Sequence, residues 1–155
     1  MSQKQNEESA QVKIGSLQQF IKSEGPVENF SSDLFSKDEV HKIAVLDLRL
    51  MNLDRNACNI LVQKKDDEYR LVPIDHGLTI PDSLAVSSYD LAWLSFGQAE
   101  EAFSQRTLDY IQSLDIEADI NLLESSFKIR PECLRNIKIS SMLLQRGAAR
   151  GLTLA

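Results

Sequence analysis

The strongest constraint on this chain is a pair of short apolar runs, "NILV" at 59–62 and "YRLVPID" at 69–75, separated by the charged stretch "QKKDDE". Two β-prone runs this close leave no room for a crossover, so they predict an antiparallel hairpin. A turn centred on Asp67 sets Val62 opposite Val72, Leu61 opposite Pro73, Ile60 opposite Ile74 and Asn59 opposite Asp75. Directly opposed side chains share a face, with Cβ atoms roughly 4.5–5.5 Å apart. The expectation is an amide oxygen beside a carboxylate at the open end of the hairpin. Pro73 has no N–H to donate, which restricts the second strand to a sheet edge or to a non-donating position.

Oxygen ligands of this kind suit Mg²⁺, which takes one or two protein oxygens and leaves its other positions to water and phosphate. Asp54 lies five residues before Asn59, on the loop leading into the first strand. The order Asp, four residues, Asn, strand, turn, strand, Asp-x-Gly is the spacing of a phosphoryl-transfer site. It supplies an aspartate for the acceptor hydroxyl, then an asparagine and an aspartate for metal. Gly77 lets the backbone turn sharply after Asp75. Asp and Asn in a loop also serve as plain turn formers, and it is the conjunction with the hairpin and "IDHG" that favours a site.

Around this centre the chain reads as an α+β fold that becomes mostly helical. Residues 1–10 are polar and have little to bury, and "VKIGSLQQFI" reads as a strand or a strand running into a linker. "SEGPVENFSS" follows as a loop. Ser36 with Glu39 forms a capping-box pattern ahead of Val40, Ile43, Ala44 and Leu50, predicting a helix over 37–50. Further helices are expected over 88–102, 105–113, 116–125 and 131–146, with Ser104 and Asp115 as N-caps, Pro131 in a first turn and Gly147 as a stop.

The 155 residues, 43% hydrophobic and 26% charged, fit one globular domain. A net charge of -6 argues against duplex nucleic acid, whose binding depends on Lys and Arg releasing counterions. Cys58 and Cys133 form no metal or disulfide pattern, which suits a reduced intracellular setting, and no apolar run is long enough for a transmembrane segment. From Lys128 onward six basic residues face one acid, Glu132, leaving room for an anionic partner. Leu134, Ile137 and Leu144 beside Arg135, Lys138 and Arg146 fit either a lipid-docking helix or one packed on the core. Trp93 and Phe96 read as packing residues, Cys58 as a small packing residue, and His41 as structural or exposed. His76 is given no role.

The stretch "VHKIAVLDLRLMNLDRNACNILV" followed by "LVPIDHGLTIP" resembles the catalytic core of the phosphatidylinositol 3- and 4-kinase superfamily, with the type II phosphatidylinositol 4-kinases, including the plant gamma type, nearest. "KIGSLQQF", "WLSFGQAEEAFS" and "ISSMLLQRGAARGLT" extend the likeness from Val12 nearly to the end. The resemblance implies the larger, C-terminal lobe of a protein-kinase-like fold, with a hairpin carrying the metal ligands. It divides the chain into a disordered 1–11 and a partial catalytic domain, hinge plus C-lobe, over 12–155. By position, Asp54 matches the catalytic aspartate that engages the inositol hydroxyl and Arg55 the arginine beside it. Asn59 and Asp75 match the metal ligands, Asp75 also meeting the ATP phosphates through metal. Gln18, Gln19, Phe20 and Ile21 match the hinge that contacts adenine, and residues from His76 to about Ser88 the activation loop.

Where many relatives read D-R-H, this chain has Asn56 in place of the histidine. The six glycines form no cluster, and no segment resembles the glycine-rich phosphate cover or the lysine of the smaller lobe. The implied activity is ATP- and Mg²⁺-dependent phosphorylation of phosphatidylinositol at its 4-hydroxyl, weak or absent in this chain alone, with the smaller lobe lacking or supplied in trans. The implied setting is cytoplasmic, or peripheral on an anionic membrane. Phosphorylation of protein hydroxyls, and a non-catalytic binding module built on the same lobe, are the alternatives.

Overall fold

The computed structural model describes residue 15 and residues 17–85 and 88–155. The polar stretch 1–11 and the Val12 and Ile14 portion of the expected strand lie outside the described residues. Over 17–23 no strand forms, and Leu17 and Phe20 stand exposed. The short strand in this region is instead β1, Gly25–Pro26, inside the stretch read as a loop. It pairs with the hairpin through Gly25↔Val62 and Pro26↔Leu61.

Helix α1, Lys37–Leu50, has the bounds its sequence predicts. Ser36 sits in the extended region and its side chain accepts the Glu39 N–H at 3.4 Å, satisfying one of the helix's free donors. The helix ends at Met51, left-handed at φ 51, whose N–H returns to the carbonyls of Asp47 and Leu48. Glu39 points elsewhere than the reciprocal half of a capping box: its Oε2 accepts the backbone N–H of Leu71 at 2.7 Å and pairs with Lys42 at 2.6 Å.

Two clusters pack on α1. Val40, Ile43 and Ala44 meet Ile60, Val62 and Leu71 of the hairpin together with Val27, Phe35 and Trp93. Val45, on a neighbouring face, meets Ile111, Leu144 and Ala148 of the helical region. Full burial of one such aliphatic side chain contributes about 1.5–3 kcal/mol, so α1 is the element that joins sheet to helices.

The hairpin consists of β3, Ile60–Lys65, and β4, Glu68–Pro73, and the sheet order is β1-β3-β4. Its register differs by one residue from expectation: Ile60 faces Pro73 and Lys65 faces Glu68, leaving a two-residue turn of Asp66 and Asp67. Asp66 takes a left-handed φ of 55, which a short polar residue tolerates and which closes the turn one residue earlier. β4 lies at the sheet edge, as Pro73 requires. The bond from Ile74 N–H to Asn59 O at 2.9 Å fixes the phase of the ladder, so residues 69, 71 and 73 direct their amide positions away from β3. Pro73 thus occupies a place where no ladder bond is lost, and Leu71 directs its N–H to Glu39.

The helix expected over 88–102 is not formed. The segment holds β5, Asp90–Leu91, and two 3₁₀ turns, Ala92–Ser95 and Gly97–Glu100. Tertiary bonds hold it: Gln98 O accepts from His41 Nε2 at 2.7 Å, and Gln98 Nε2 donates to the carbonyls of Ser32 and Phe35. His41 is therefore a buried structural residue. β5 pairs in parallel with β2, Asp54–Arg55.

Helix α2, Gln105–Ser113, starts at Ser104, whose hydroxyl accepts the Thr107 N–H. Helix α3, Ile116–Phe127, starts at Asp115 and runs two residues past its expected end, to a left-handed Lys128. Helix α4, Pro131–Ala149, continues through Gly147. The chain turns at Gly151 (φ 74), and Leu152 folds back on Gly147, where an added Cβ would meet its Cδ1 at 3.6 Å. Leu134, Ile137 and Leu144 are buried, so that apolar stripe packs on the core rather than facing lipid, and Lys138 pairs with Glu117. No helix among the described residues is long and apolar enough to cross a membrane.

Candidate active site

The loop between α1 and β3 is built on side-chain bonds to its own backbone. Asn56 caps the 3₁₀ turn Ala57–Asn59, its Oδ1 accepting the N–H of Cys58 at 3.1 Å and of Asn59 at 3.2 Å. Its Nδ2 donates to Asp54 Oδ1 at 3.3 Å, steadying one carboxylate oxygen. The residue that replaces an imidazole in the D-R-H pattern is thus the one that shapes this loop. Asn59 Nδ2 donates to the Asp54 carbonyl at 3.2 Å. With its nitrogen held, Oδ1 is the amide atom that could serve a metal.

Asp75 follows Ile74 past the end of β4. Its φ of 51 is left-handed, a conformation uncommon outside glycine that tends to mark turns and sites. Its Oδ1 accepts the Gly77 N–H at 3.2 Å, and the residue is exposed. Because the register is shifted, Asn59 faces Ile74 rather than Asp75. Both candidate ligands therefore lie at the hairpin's open end without facing each other, Asp75 being turned by its own backbone beyond the strand.

Arg55 lies under this end and is wholly buried. Its Nε and Nη2 donate to Asp47 at 3.0–3.1 Å. Nη1 donates to the Asn59 carbonyl at 3.0 Å and to the Ile74 carbonyl, while Nη2 meets His76 Nδ1 at 3.0 Å. A guanidinium carries no acceptor, so His76 Nδ1 is a lone-pair acceptor in this contact. Asp47, 1% exposed, also accepts from Asn52 Nδ2 at 3.0 Å and Trp93 Nε1 at 3.1 Å. Arg55 therefore touches backbone carbonyls, the buried Asp47 and the His76 ring, and its place is behind the site.

Asp47, Asn52 and Trp93 as a polar group escape motif reading. One signal does mark Asp47: it follows Val40, Ile43 and Ala44 at the next step of α1's apolar stripe, and a carboxylate there needs a buried partner. Of the residues that the resemblance matches to a hinge, Gln18, Gln19 and Phe20 are exposed and Ile21 is half-buried. The chain next to them runs along β3, with Glu24 N–H on Val62 O and Gln63 Nε2 on Lys22 O. Cys58 is exposed rather than packed. The Glu28 carboxylate beside it pushes its thiol pKa up, which keeps it a poor nucleophile.

Among the described residues no three or more His, Cys, Asp or Glu side chains gather to hold a metal. Asn59 and Asp75 fit a hard cation: both offer oxygen, and each has one polar atom already held by backbone, which fixes the rest of the group. A cavity of about 440 Å³ opens elsewhere, between α1 and α2, lined by Lys42, Leu46, Pro73 and Tyr110 among others. None of Asp54, Asn59 or Asp75 lines it.

A family model described as phosphatidylinositol 3- and 4-kinase matches residues 1–155. Phosphatidylinositol 4-kinase gamma 3 of Arabidopsis thaliana is 48% identical over 145 residues, 92% of this chain and 25% of that protein. Phosphatidylinositol 4-kinase gamma 4 of Oryza sativa subsp. japonica is 46% identical over 143 residues, 91% of this chain and 25% of that protein. The chain spans about a quarter of the length of these curated relatives.

Proposed function

From the premise that this chain belongs to the phosphatidylinositol 3- and 4-kinase family, we propose that it carries the acceptor and metal side of a phosphatidylinositol 4-kinase centre, on the larger lobe of a kinase-like fold over 12–155. The observation that carries this reading is the convergence of the Asp54–Asn59 loop and the Ile74–Gly77 turn on one buried arginine. Asn59 and Asp75 would hold Mg²⁺. When bound, the ion offsets charge on the ATP phosphates.

Asp54 then acts on the acceptor. Asn56 holds its Oδ1, and Oδ2 takes the hydrogen of the inositol 4-hydroxyl as that oxygen bonds to the γ-phosphorus and the bond to ADP breaks. Gln18 to Ile21 would meet adenine. The substrate would be presented at a membrane surface on the cytoplasmic side. Phosphoryl transfer depends on positioning and charge, and these residues include no glycine-rich cover and no phosphate-pairing lysine, so weak ATP binding and little turnover are proposed for this chain alone. A smaller lobe acting in trans would restore both.

The second reading is a protein hydroxyl as acceptor. It is favoured by the 76–88 segment, "HGLTIPDSLAVSS", which has no Lys or Arg to receive an inositol phosphate group.

Thermal unfolding in millimolar MgATP tests the centre. A ligand selective for the folded state raises Tm by mass action, so the parent is expected to shift upward and the Asp75→Ala variant not to shift. A parent that does not respond overturns the kinase reading in favour of a binding module. Labelled-phosphate transfer to phosphatidylinositol vesicles or to a protein acceptor, measured with a smaller lobe supplied and abolished by Asp54→Asn, separates the two acceptors.

A further inference from the structure

Asp47 belongs to none of the motifs that mark the site, yet more side-chain donors converge on it than on any of the candidate site residues. Asn52 Nδ2, Arg55 Nε and Nη2, and Trp93 Nε1 all lie within 3.1 Å of its carboxylate. The pair it forms with Arg55 is shut from solvent, at 0% and 1% side-chain exposure. Removing two charges from water costs several kcal/mol per ion, and well-packed apolar residues often stabilise a fold as well or better. Stability alone is thus a weak reason for the pair.

What an apolar pair lacks is the remaining edge of the guanidinium. With Nε and Nη2 fixed on Asp47, the planar group has one orientation, and Nη1 reaches the carbonyl of Asn59 and the carbonyl of Ile74. One of these residues is a candidate ligand and the other immediately precedes one. Trp93 and Asn52 occupy other lone pairs of Asp47, so the carboxylate cannot rotate without losing a buried bond.

We propose that Asp47 is a positioning residue for the metal ligands: through Arg55 it sets the distance between the Asn59 loop and the Asp75 turn. The inference rests on the reading of Asn59 and Asp75 as ligands. Partners behind a ligand typically change metal affinity about 10–100-fold when altered.

The test uses the 155-residue chain with Mn²⁺ as the probe, followed by the loss of the free-ion EPR signal. Amide exchange at Ile74, whose N–H bonds Asn59 O, provides a readout that needs no metal. Arg55→Lys keeps a charge against Asp47 but replaces the fork by a single ammonium. It is expected to fold, to bind Mn²⁺ at least about tenfold more weakly, and to exchange faster at Ile74. Asp47→Asn is expected to do the same, and if it does not fold, Arg55→Lys decides. Ile111→Ala, which opens a cavity in the other core cluster, with Val45, Leu144 and Ala148, should lower stability and leave Mn²⁺ affinity unchanged. Parent-like Mn²⁺ affinity and Ile74 protection in Arg55→Lys, with binding abolished by Asp75→Asn, would overturn the positioning role and leave the metal site standing. A parent that does not bind Mn²⁺, or an Asp75→Asn variant that binds like the parent, overturns the site and the inference together.

Discussion

Replacing Glu39 by alanine removes the acceptor for an amide that has no other. Leu71 lies on the edge strand, its N–H turned away from β3 by the ladder's phase, and its side chain is 2% exposed. Leaving a buried donor unsatisfied costs about 1–3 kcal/mol. The Lys42 pair, three residues away on the helix surface, adds about 0.2–0.5 kcal/mol. Together the loss is about 1.2–3.5 kcal/mol, or a Tm lower by roughly 2–14 °C in a chain of this size. Glu39→Gln keeps an oxygen for Leu71 and should lose about half as much, while Lys42→Ala should lose no more than about 0.5 kcal/mol. Urea unfolding followed through the single tryptophan, with amide exchange at Leu71, measures both effects. If Glu39→Ala and Lys42→Ala lose the same stability and Leu71 stays protected, the carboxylate is only a helix-surface group and the strand-edge argument fails.

Ile43→Ala, at a fully buried junction of α1 with the sheet, should cost about 2–5 kcal/mol in the same urea experiment. Asp66→Gly frees a left-handed turn position from its Cβ and should change stability by less than about 1 kcal/mol in either direction. Asp66→Val should destabilise clearly, because a β-branched residue resists φ 55. For Cys58, the carboxylate of Glu28 raises the thiol pKa, so thiolate forms at higher pH than in a free cysteine. Iodoacetamide labelling should therefore rise with pH later than for a free thiol, and Glu28→Gln should move that rise to lower pH. An unchanged profile in Glu28→Gln would remove Glu28 as the cause.

Local signals were legible where one residue and its near neighbours decide the outcome. Ser36, Ser104 and Asp115 cap the helices they were expected to cap, since an N-cap bond spans three residues and depends on little else. Pro73 marked an edge because a missing donor is a property of the residue itself. The segment 88–102 misled because its apolar residues match helical spacing while its bonds run to His41, Ser32 and Phe35, far off in sequence. Gly147 misled for a similar reason: a glycine that reads as a stop serves as the place where Leu152 folds back on the helix. In the hairpin, a charged turn that can close on two residues or on one moved the register by a single step, enough to change which side chains oppose each other.

The sequence alone determined that a hairpin would carry Asn59 and Asp75 to one end, that α1 would precede the Asp54 loop, and that these oxygens would be the chemical centre to examine. These depend on spacing along the chain. Tertiary structure decided how the ends are held: the register, the left-handed turn at Asp75, and the buried Asp47–Arg55 pair beneath both segments. Folding removes water from both charges at a cost, so such a pair persists only where every remaining bond is supplied, and those bonds come from residues scattered between Asp47 and Trp93.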